Sequence, residues 1–402
     1  MTAPLGDTDA TLVLDHEYVM HTYARKGVVF VRGEGTQLWD ADGTRYLDFL
    51  CGLAVTSLGH AHPDVAAAIA DQAHTLLHVS NYFVNDYAPR LAQRLDTLVG
   101  GGGRVFFCNS GAEASEGAIK LVRRFGKSQG GPNRFEVVTA YASFHGRTMA
   151  ALAATGQPEK HEPFQPLPPG FRHVMLDDID ELAAAVDDRV AAVMLEPVQG
   201  EGGVNVASRE YLRAVRQLCD EREVLLILDE VQTGLGRTGR WFGFQHAGIQ
   251  PDVVTMAKAL GNGVPIGAIW ARREIADALV PGDHGSTFGG QPLAARAASA
   301  VLDVMERENV PARAVAAGEY LSAGLARLDH VASVRGEGLL LAAELEPSAP
   351  APAVADRCLH LGLVVNAVTP TALRFAPPLL VTEAEIDEAL AILERALTEV
   401  AE

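Results

Sequence analysis

One lysine of this 402-residue chain lies at the end of an apolar run, in the segment PDVVTMAKALGNGVPIG (residues 251–267). Lys258 is one of five lysines, against 28 arginines, so a position that needed only positive charge would more often hold arginine in this chain. A buried lysine can have its pKa lowered and then offers a neutral amine, which forms Schiff bases with aldehydes. Lys258 is therefore a candidate covalent ligand for an aldehyde group.

Carboxylates follow two further apolar runs. Asp229 and Glu230 come after five apolar residues, and Lys258 follows Asp229 by 29 positions. A half-buried carboxylate normally has a partner, which for Asp229 could be a protonated ring nitrogen or a structural arginine. Glu196 and Glu201, in LEPVQGEGG, are candidates for the same site, although capping or solvated roles are common for such residues.

A third apolar run ends in small residues. Asn109, Ser110, Gly111 and Ala112 stand where a strand turns into a helix, in CNSGAEASEGAIK. Small residues there leave backbone N–H groups free to bind a phosphate at the helix N-terminus. The alternative is that Ser110 merely caps the helix, with Glu113 completing a capping box. The pattern is neither GxGxxG nor GxxxxGK[ST], which disfavours nicotinamide dinucleotides and P-loop nucleotides.

The stretch SFHGRT, residues 143–148, could bind a flat ring and a carboxylate. Phe144 would stack on the ring and Arg147 would bind the carboxylate in a bidentate manner. In isolation the same residues could be a buried aromatic and a surface arginine. An aldehyde cofactor with a phosphate, an aromatic ring and a pyridine nitrogen would use all of these groups, which points to pyridoxal phosphate.

The elements that must position these residues repeat one theme, a short apolar strand followed by a polar corner and a helix. Such alternation predicts an α/β fold with a mostly parallel sheet covered on both faces, and ligands gather at the carboxyl ends of the strands in such sheets. The strands are expected at residues 104–110, 136–141, 191–198, 224–231 and 252–258.

Both ends of the chain have a different pattern. Residues 28–50 predict short antiparallel strands around a tight turn. Long helices follow residue 300, and then two strands (338–346 and 372–379) and a closing helix (382–401). We therefore predict a large domain over residues 64–300 and a smaller α+β domain formed by residues 1–63 and 301–402. The glycine- and arginine-rich run after Glu230 and the Pro/Ala stretch at 346–355 are expected to be exposed loops.

Composition narrows the class of protein. The formal net charge of −18 argues against nucleic acids and anionic membrane surfaces as partners. Four scattered cysteines without a CxxC pair indicate neither a disulfide framework nor a zinc site, and His60 and His62 lack a third metal ligand. The acidic start is not typical of a signal or transit peptide, and no apolar run reaches the roughly 18 residues of a membrane span. A cytoplasmic protein without a bound metal is expected.

Together these residues resemble a known family over essentially the whole chain. The chain is similar to the class III, fold-type-I pyridoxal-phosphate aminotransferases, and within them to the acetylornithine aminotransferase branch. The motifs that carry the resemblance are HTYARKGVVFVRGEGTQLWDADGTRYLDFL, GLAVTSLGHAHP, FFCNSGAEA, FHGRT, LEPVQGEGG, LDEVQTGLGRTG, AKALGNGVPIGA, GDHGSTFGGQPLA and LRFAPPL.

The resemblance implies roles for residues at the cofactor. Lys258 would hold the pyridoxal phosphate aldehyde and act with Asp229 as a catalytic residue, and Asp229 would pair with the pyridine nitrogen. Gln232 would approach the ring hydroxyl and Phe144 would lie on the ring face. The remaining cofactor contacts implied are Ser110, Gly111 and Ala112 at the phosphate, Glu230 and Val231 beside Asp229, and Thr287, which would reach the cofactor phosphate of the neighbouring subunit in a homodimer with shared sites.

The resemblance also implies the substrates. Arg147 would bind the substrate carboxylate with Ser286 close to it, and Arg374 would be a second carboxylate-binding arginine that Glu201 masks. The expected reaction is N-acetylornithine plus 2-oxoglutarate giving N-acetylglutamate 5-semialdehyde plus glutamate, as in arginine biosynthesis. The alternatives are a carrier-linked or succinylated amine of lysine biosynthesis, ornithine, and γ-aminobutyrate.

Two departures from the family pattern bear on specificity. Ala259 and Asn262 stand where the family more often has glycine, which could alter the loop beyond Lys258. Relatives that act on free ornithine place a tyrosine near Leu53–Val55, and its absence here favours an N-acylated or carrier-linked donor.

Overall fold

The chain folds around a seven-stranded sheet, in a computed structural model that describes residues 8–402. The first seven residues of the predicted 1–63 segment lie outside the described residues. The strands are β1 (Phe30–Glu34), β2 (Gln37–Asp40), β3 (Arg45–Asp48), β4 (Gly103–Cys108), β5 (Glu136–Ala140), β6 (Phe171–Val174), β7 (Val190–Leu195), β8 (Val198–Gln199), β9 (Asn205–Val206), β10 (Leu225–Asp229), β11 (Val253–Met256), β12 (Gly267–Arg272), β13 (Val331–Glu337), β14 (Leu340–Leu345), β15 (Leu363–Val364), β16 (Asn366–Ala367) and β17 (Ala372–Phe375).

Helices surround the sheets and form much of the chain after residue 290. They are α1 (Thr8–Tyr18), α2 (Cys51–Ala54), α3 (Pro63–Thr75), α4 (Tyr87–Val99), α5 (Gly111–Gly130), α6 (Met149–Ala154), α7 (Ile179–Ala185), α8 (Arg209–Glu221), α9 (Arg273–Ala276), α10 (Pro292–Arg307), α11 (Val310–Leu325), α12 (Ala351–His360) and α13 (Glu383–Ala401). Among residues 8–402 we find no helix whose length and hydropathy would suit a membrane crossing.

The seven-stranded sheet has the order β4-β12-β11-β10-β7-β5-β6. The five strands predicted from apolar runs all belong to it and are parallel, which confirms the predicted fold class. Strands β6 and β12 were not predicted. β12 runs antiparallel between β11 and β4, and Gly267 at its start pairs with Cys108 at the end of β4.

Both faces of this sheet are buried, as the near-continuous apolar strands indicated. In β10, Leu225 and Ile227 pack into the cluster that α5 covers, whereas Leu226 and Leu228 pack into the main core with α8 and α10. The carboxyl ends of β4, β10 and β11 lie at one edge of the sheet, because these three strands run in the same direction.

Two smaller sheets hold the chain ends. The N-terminal strand β3 pairs in parallel with β15 from the C-terminal part, and Leu47 lies opposite Leu363. The second sheet has the order β13-β14-β17-β16. The closing helix α13 begins at a capping box in which Thr382 and Glu385 each accept a hydrogen bond from the other's backbone N–H group. Thr382 is the residue at which the sequence predicts the start of this helix.

The segment α2 is a left-handed turn. Cys51, Gly52, Leu53 and Ala54 have φ of 53°, 59°, 70° and 60°, a conformation that L-residues rarely adopt in succession. The carboxylate of Asp48 stabilises its start, since Oδ1 accepts hydrogen bonds from the N–H groups of Leu50 (3.0 Å) and Cys51 (2.8 Å).

Two loop predictions were wrong. The run after Glu230 is buried, because the Arg237 guanidinium lies in the interior and donates to the carbonyls of Leu339 (3.0 Å) and Pro377 (2.6 Å). The stretch at 346–355 is an exposed loop only at its start, since α12 begins at Ala351 and buries Val354 completely. Pro350 precedes the first helical residue, where a missing N–H has no cost.

Candidate active site

A cavity of about 460 Å³ opens at the carboxyl ends of β4, β10 and β11. It brings together side chains from most of the strand ends singled out in the sequence. The lining comprises Val55, Asn109, Ser110, Gly111, Ala112, Phe144, His145, Gly146, Arg147, Glu196, Glu201, Asp229, Val231, Gln232, Ala257, Lys258, Gly263, Val264, Pro265 and Ile266.

Lys258 lies at the base of this cavity, two residues after β11 ends. Among residues 8–402, no side chain forms a hydrogen bond or ion pair with its Nζ. Burial lowers the pKa of Lys258 to about 8, and the carboxylates of Glu201 and Asp229 only partly oppose that effect. Burial thus raises the share of neutral amine near neutral pH above that of an ordinary lysine, and the neutral amine is the form that nucleophilic attack requires.

Asp229 is held by three hydrogen bonds at the end of β10. Its Oδ1 accepts from Thr255 Oγ1 (3.0 Å) and from the Val231 N–H (3.1 Å), and its Oδ2 accepts from His145 Nδ1 (2.8 Å). The Asp229 side chain is 4% exposed, and the His145 side chain is fully buried. These donors fix the orientation of the carboxylate, which lines the cavity and can pair with a ring nitrogen there. The partner of Asp229 is therefore a histidine and not the structural arginine considered from sequence.

The N-terminus of α5 forms the opposite end of the cavity. Ser110 caps the helix, since its Oγ accepts from the Glu113 N–H (3.2 Å). Among residues 8–402, the N–H groups of Gly111 and Ala112 have no hydrogen-bond partner, as expected in the first turn of a helix. A Cβ at position 111 would approach Val231 Cγ1 to 2.7 Å, so glycine allows α5 to pack against the chain beside Asp229. Capping and anion binding are thus compatible here.

Arg374 lies behind the cavity wall and is 1% exposed. Its Nη1 donates to Glu201 Oε1 (2.5 Å), the Gly200 carbonyl (3.1 Å) and Gln232 Oε1 (3.3 Å), while Nη2 has no partner among the described residues. Burial opposes ionisation of Glu201. The charge and hydrogen bond of Arg374, together with the charge of Lys258 and a hydrogen bond from Gln232, outweigh burial and hold the pKa of Glu201 below its ordinary value. Glu201 thus stands between Arg374 and the cavity as a neutralising carboxylate.

A second arginine lies at the cavity mouth. Arg147 is exposed, and its guanidinium carbon lies 5.7 Å from the centre of the Phe144 ring. Lys160 Nζ lies 5.8 Å from the same ring centre. No carboxylate within residues 8–402 forms an ion pair with Arg147 or Lys160. The mouth therefore carries cations available to an anionic substrate group.

Besides Arg374, three residues singled out from the sequence lie outside the cavity lining in one chain. Ser286 is linked to the lining by Asn109, whose Nδ2 donates to Ser286 Oγ (3.1 Å). Thr287 is exposed. Glu230 points into the protein, where it accepts from Thr233 Oγ1 (2.5 Å) and from backbone N–H groups, and burial raises its pKa to about 7.

Sequence reasoning missed several residues of the site. The pairing of His145 with Asp229 spans 84 positions and leaves no local signal. Glu196, seen as a strand-end carboxylate, accepts from the Phe144 N–H (3.0 Å), and burial beside Asp229 raises its pKa well above the ordinary value. In the described part of the chain, histidine, cysteine, aspartate and glutamate side chains form no group that could hold a metal ion.

The groups around the cavity match an aldehyde cofactor with a phosphate and a pyridine ring. A buried amine, a fixed carboxylate, free helix N-terminal amides and an aromatic ring lie around one space, in the arrangement that pyridoxal phosphate requires. The unpartnered N–H groups of Gly111 and Ala112 fit a phosphate.

Comparison with known proteins gives consistent results. The family model for class-III aminotransferases matches residues 18–397. The chain is 49% identical to the acetylornithine aminotransferase of Caldanaerobacter subterraneus subsp. tengcongensis, covering 97% of this chain and 99% of that protein. It is 51% identical to the acetylornithine aminotransferase of Gloeobacter violaceus, with coverages of 94% and 95%.

Solved structures are also similar. The ornithine aminotransferase of Toxoplasma gondii superposes with a TM-score of 0.94 at 36% identity, covering 98% of this chain and 96% of that one. The acetylornithine aminotransferase of Elizabethkingia anophelis gives a TM-score of 0.86 at 32% identity, with coverages of 98% and 100%.

Proposed function

This chain belongs to the class-III aminotransferases, and from that membership we propose that it transfers the ω-amino group of N-acetylornithine to 2-oxoglutarate. It is a pyridoxal-phosphate-dependent transaminase. The observation that carries the proposal is a cavity lined by Lys258, Asp229 and Arg147, unpaired among the described residues, in which Glu201 separates the lining from Arg374. Both arginines would bind substrate carboxylates. Relatives named acetylornithine aminotransferase at 45–51% identity support the choice of donor.

We propose the following contacts with the cofactor. The amides of Gly111 and Ala112, with Ser110, hold the phosphate, and Phe144 covers the ring. Asp229 holds the ring nitrogen in its protonated form, and Gln232 and Val231 lie at the ring edge. Glu230 would support this contact indirectly, by fixing the chain that follows Asp229. When bound, pyridoxal phosphate withdraws electrons from the carbon that bears the transferred amino group.

Lys258 would serve as the base of the reaction. Its neutral Nζ would take the proton from the carbon that bears the donor's amino group and pass it to the carbon that carried the cofactor's aldehyde. In the second half-reaction it would move a proton from that carbon to the acceptor carbon. The low pKa of Lys258 suits this exchange near neutral pH, because both protonation states are populated. The buried position of Asp229 keeps water from weakening its interaction with the ring nitrogen.

Two arginines would allow one cavity to accept two different substrates. Arg147, with Ser286 nearby, binds the carboxylate that is distant from the reacting carbon. Arg374 binds the carboxylate next to the reacting carbon of 2-oxoglutarate and glutamate, after Glu201 moves aside. With the donor bound, Glu201 stays on Arg374 and neutralises it.

Steady-state kinetics with four amino donors tests the assignment. N-acetylornithine, ornithine, γ-aminobutyrate and succinyl-diaminopimelate would each be supplied with 2-oxoglutarate. We expect kcat/KM for N-acetylornithine to exceed the others by about tenfold or more, the size of discrimination that one pocket can supply. Equal values for all four would refute the preference, and the highest value for the succinylated amine would assign the enzyme to lysine biosynthesis.

We further propose that the enzyme works as a cytoplasmic homodimer with shared sites. Thr287 is exposed in one chain beside Phe288, and Tyr82, Phe83 and Val84 form an exposed apolar run, which a second copy would cover. We also propose that residues 1–63 and 301–402 form one domain and 64–300 the other, which the pairing of β3 with β15 supports. Light scattering during size-exclusion chromatography would give the mass of the assembly, and a monomer that retains full activity would refute shared sites.

A further inference from the structure

Asn262 joins two segments that both line the cavity, one through Val55 and one through residues 263–266. Its Oδ1 accepts from the Leu58 N–H (2.8 Å), and its Nδ2 donates to the Gly59 carbonyl (3.1 Å). We propose that Asn262 is a positioning residue that sets the spacing of the two walls between which the amino donor binds. The inference rests on the proposed function, since it concerns substrate binding in the same cavity.

The first wall is the segment of residues 50–60, which begins with the left-handed turn Cys51–Ala54. Val55, directly after that turn, lines the cavity. Asp48 holds the start of the turn through the N–H groups of Leu50 and Cys51. Four consecutive residues of this turn have positive φ, and three of them are not glycine, so the turn stores conformational strain. It therefore needs a second point of attachment at its far end.

The second wall is the loop of residues 257–266, which carries Lys258 at its start. Gly263, Val264, Pro265 and Ile266 line the cavity. Asn262 has a φ of 46°, a left-handed conformation that asparagine tolerates better than most residues. Its side chain is half-buried, and both of its partners are buried backbone groups.

The two hydrogen bonds of Asn262 use both ends of one amide. A donor and an acceptor in a fixed geometry define the register of two backbones better than a single bond would. Ser57, one residue before Leu58, is attached by a different route, since its Oγ accepts from Arg237 Nη2 (3.1 Å). Loss of the Asn262 amide would therefore free the wall at Leu58 and Gly59 without detaching the whole segment.

The variant Asn262→Gly separates this role from a general effect on folding. Glycine accepts the positive φ at this position but makes neither hydrogen bond, so the backbone is not strained. We expect KM for the donor to rise about tenfold, in line with the loss of hydrogen bonding to buried backbone groups, and kcat to change less than about threefold. When the spacing of the two walls is no longer fixed, the substrate and the transition state are bound more weakly to the same extent. KM therefore rises and kcat stays nearly unchanged.

Hydrogen exchange of the pyridoxal-phosphate-loaded protein gives a readout independent of turnover. Peptides that contain Leu58 should exchange faster in Asn262→Gly, because Leu58 loses the acceptor of its N–H. The variant Asn262→Asp keeps that acceptor and loses the donor to Gly59, so Leu58 should stay closer to the parent. A matched control is Asn309→Gly, because Asn309 also has positive φ (50°), is exposed and makes no side-chain capping bond.

The outcomes separate clearly. Faster exchange at Leu58 with a raised donor KM in Asn262→Gly, and neither change in Asn309→Gly, would support the proposal. Unchanged exchange at Leu58, or faster exchange with an unchanged KM for the best donor, would overturn it. If Asn262→Gly does not fold, a parental KM in Asn262→Asp would overturn the proposal and a raised KM would support it. Failure of N-acetylornithine as the donor would refute the proposed function and leave the exchange result intact.

Discussion

The masked arginine gives the sharpest prediction, through the variant Glu201→Gln. Glutamine has the shape of glutamate but no charge, so Arg374 keeps a hydrogen bond and loses its neutralising partner. Breaking a fully buried ion pair costs about 3–5 kcal/mol. Glu201 is 26% exposed, and Arg374 retains the acceptors Gly200, Gln232 and Asn366, so we expect a loss of about 1–2 kcal/mol in the free energy of unfolding.

The free energy that the Glu201–Arg374 ion pair contributes to stability should equal the gain in affinity for a dicarboxylate when the pair is removed. A dicarboxylate must displace Glu201 to reach Arg374, and in Glu201→Gln it no longer competes with a charged group. Because about 1.4 kcal/mol corresponds to tenfold in affinity, glutarate should bind about 5- to 30-fold more tightly to the variant. The cost in stability and the gain in binding are two measures of one interaction.

Urea unfolding and glutarate titration of the cofactor-loaded protein measure both quantities. The pKa of Glu201 is below its ordinary value in the folded protein, so its contribution is present above pH 4.5 and is lost as the pH falls through the folded pKa. The difference in stability between parent and variant should therefore vanish in acid. Asp303→Asn is a control, since Asp303 pairs with Arg94 on an exposed surface and should change neither quantity appreciably. Equal glutarate affinity in parent and Glu201→Gln would refute the masking of Arg374.

Further predictions concern the other charged groups of the cavity. Lys258→Ala should lower turnover by about 10⁴ or more, because the base and the covalent ligand of the cofactor are lost together. Lys258→Arg should be equally inactive, and a rate above one per cent of the parent in either variant would contradict the role of Lys258. In cofactor-free protein the rate of pyridoxal phosphate uptake should rise with pH and level off above about 8, following the neutral amine of Lys258, and a flat profile from pH 6.5 to 9 would count against that titration. Asp229→Asn should lower kcat by about 100-fold or more while the fold is kept, as measured by stopped-flow half-reactions and circular dichroism; a near-parental kcat would exclude a charge on the ring nitrogen as its role. Lys160→Gln should raise KM for 2-oxoglutarate about two- to fivefold, whereas Lys127→Gln, which removes a lysine beside Phe135, should not; equal effects would point to net charge instead.

The parallel strands could be predicted because each is a short run with both faces buried. The strands that were missed have other patterns. β6 has the sequence FRHV, with an arginine and a histidine in four residues, at the edge of the sheet. β12 follows the glycine- and proline-containing loop beyond Lys258, and its antiparallel pairing with β4 depends on residues 159 to 169 positions away. Local periodicity carries no information on such pairing.

The cavity could be predicted because ligands of a parallel sheet gather at the strand ends. Lys258, Asp229 and the Ser110–Ala112 turn are local features that end a strand, and all line the cavity. His145 beside Asp229 could not be found in this way, because neither residue carries a sign of the other. The buried run around Arg237 was mistaken for an exposed loop, since its acceptors are carbonyls of distant segments.

The position of β12 also bears on how the chain is made. β4 leads into the turn at Ser110, yet in the finished sheet β12 separates β4 from β11 and Lys258. During synthesis β4 lacks its partner in the sheet until β12 is complete at residue 272. An unpaired strand can form wrong pairs in the growing chain. A ligand stabilises only the state that binds it. Pyridoxal phosphate therefore stabilises chains in which β12 has already joined β4 to β11, because the ends of β4 and β11 border the cavity.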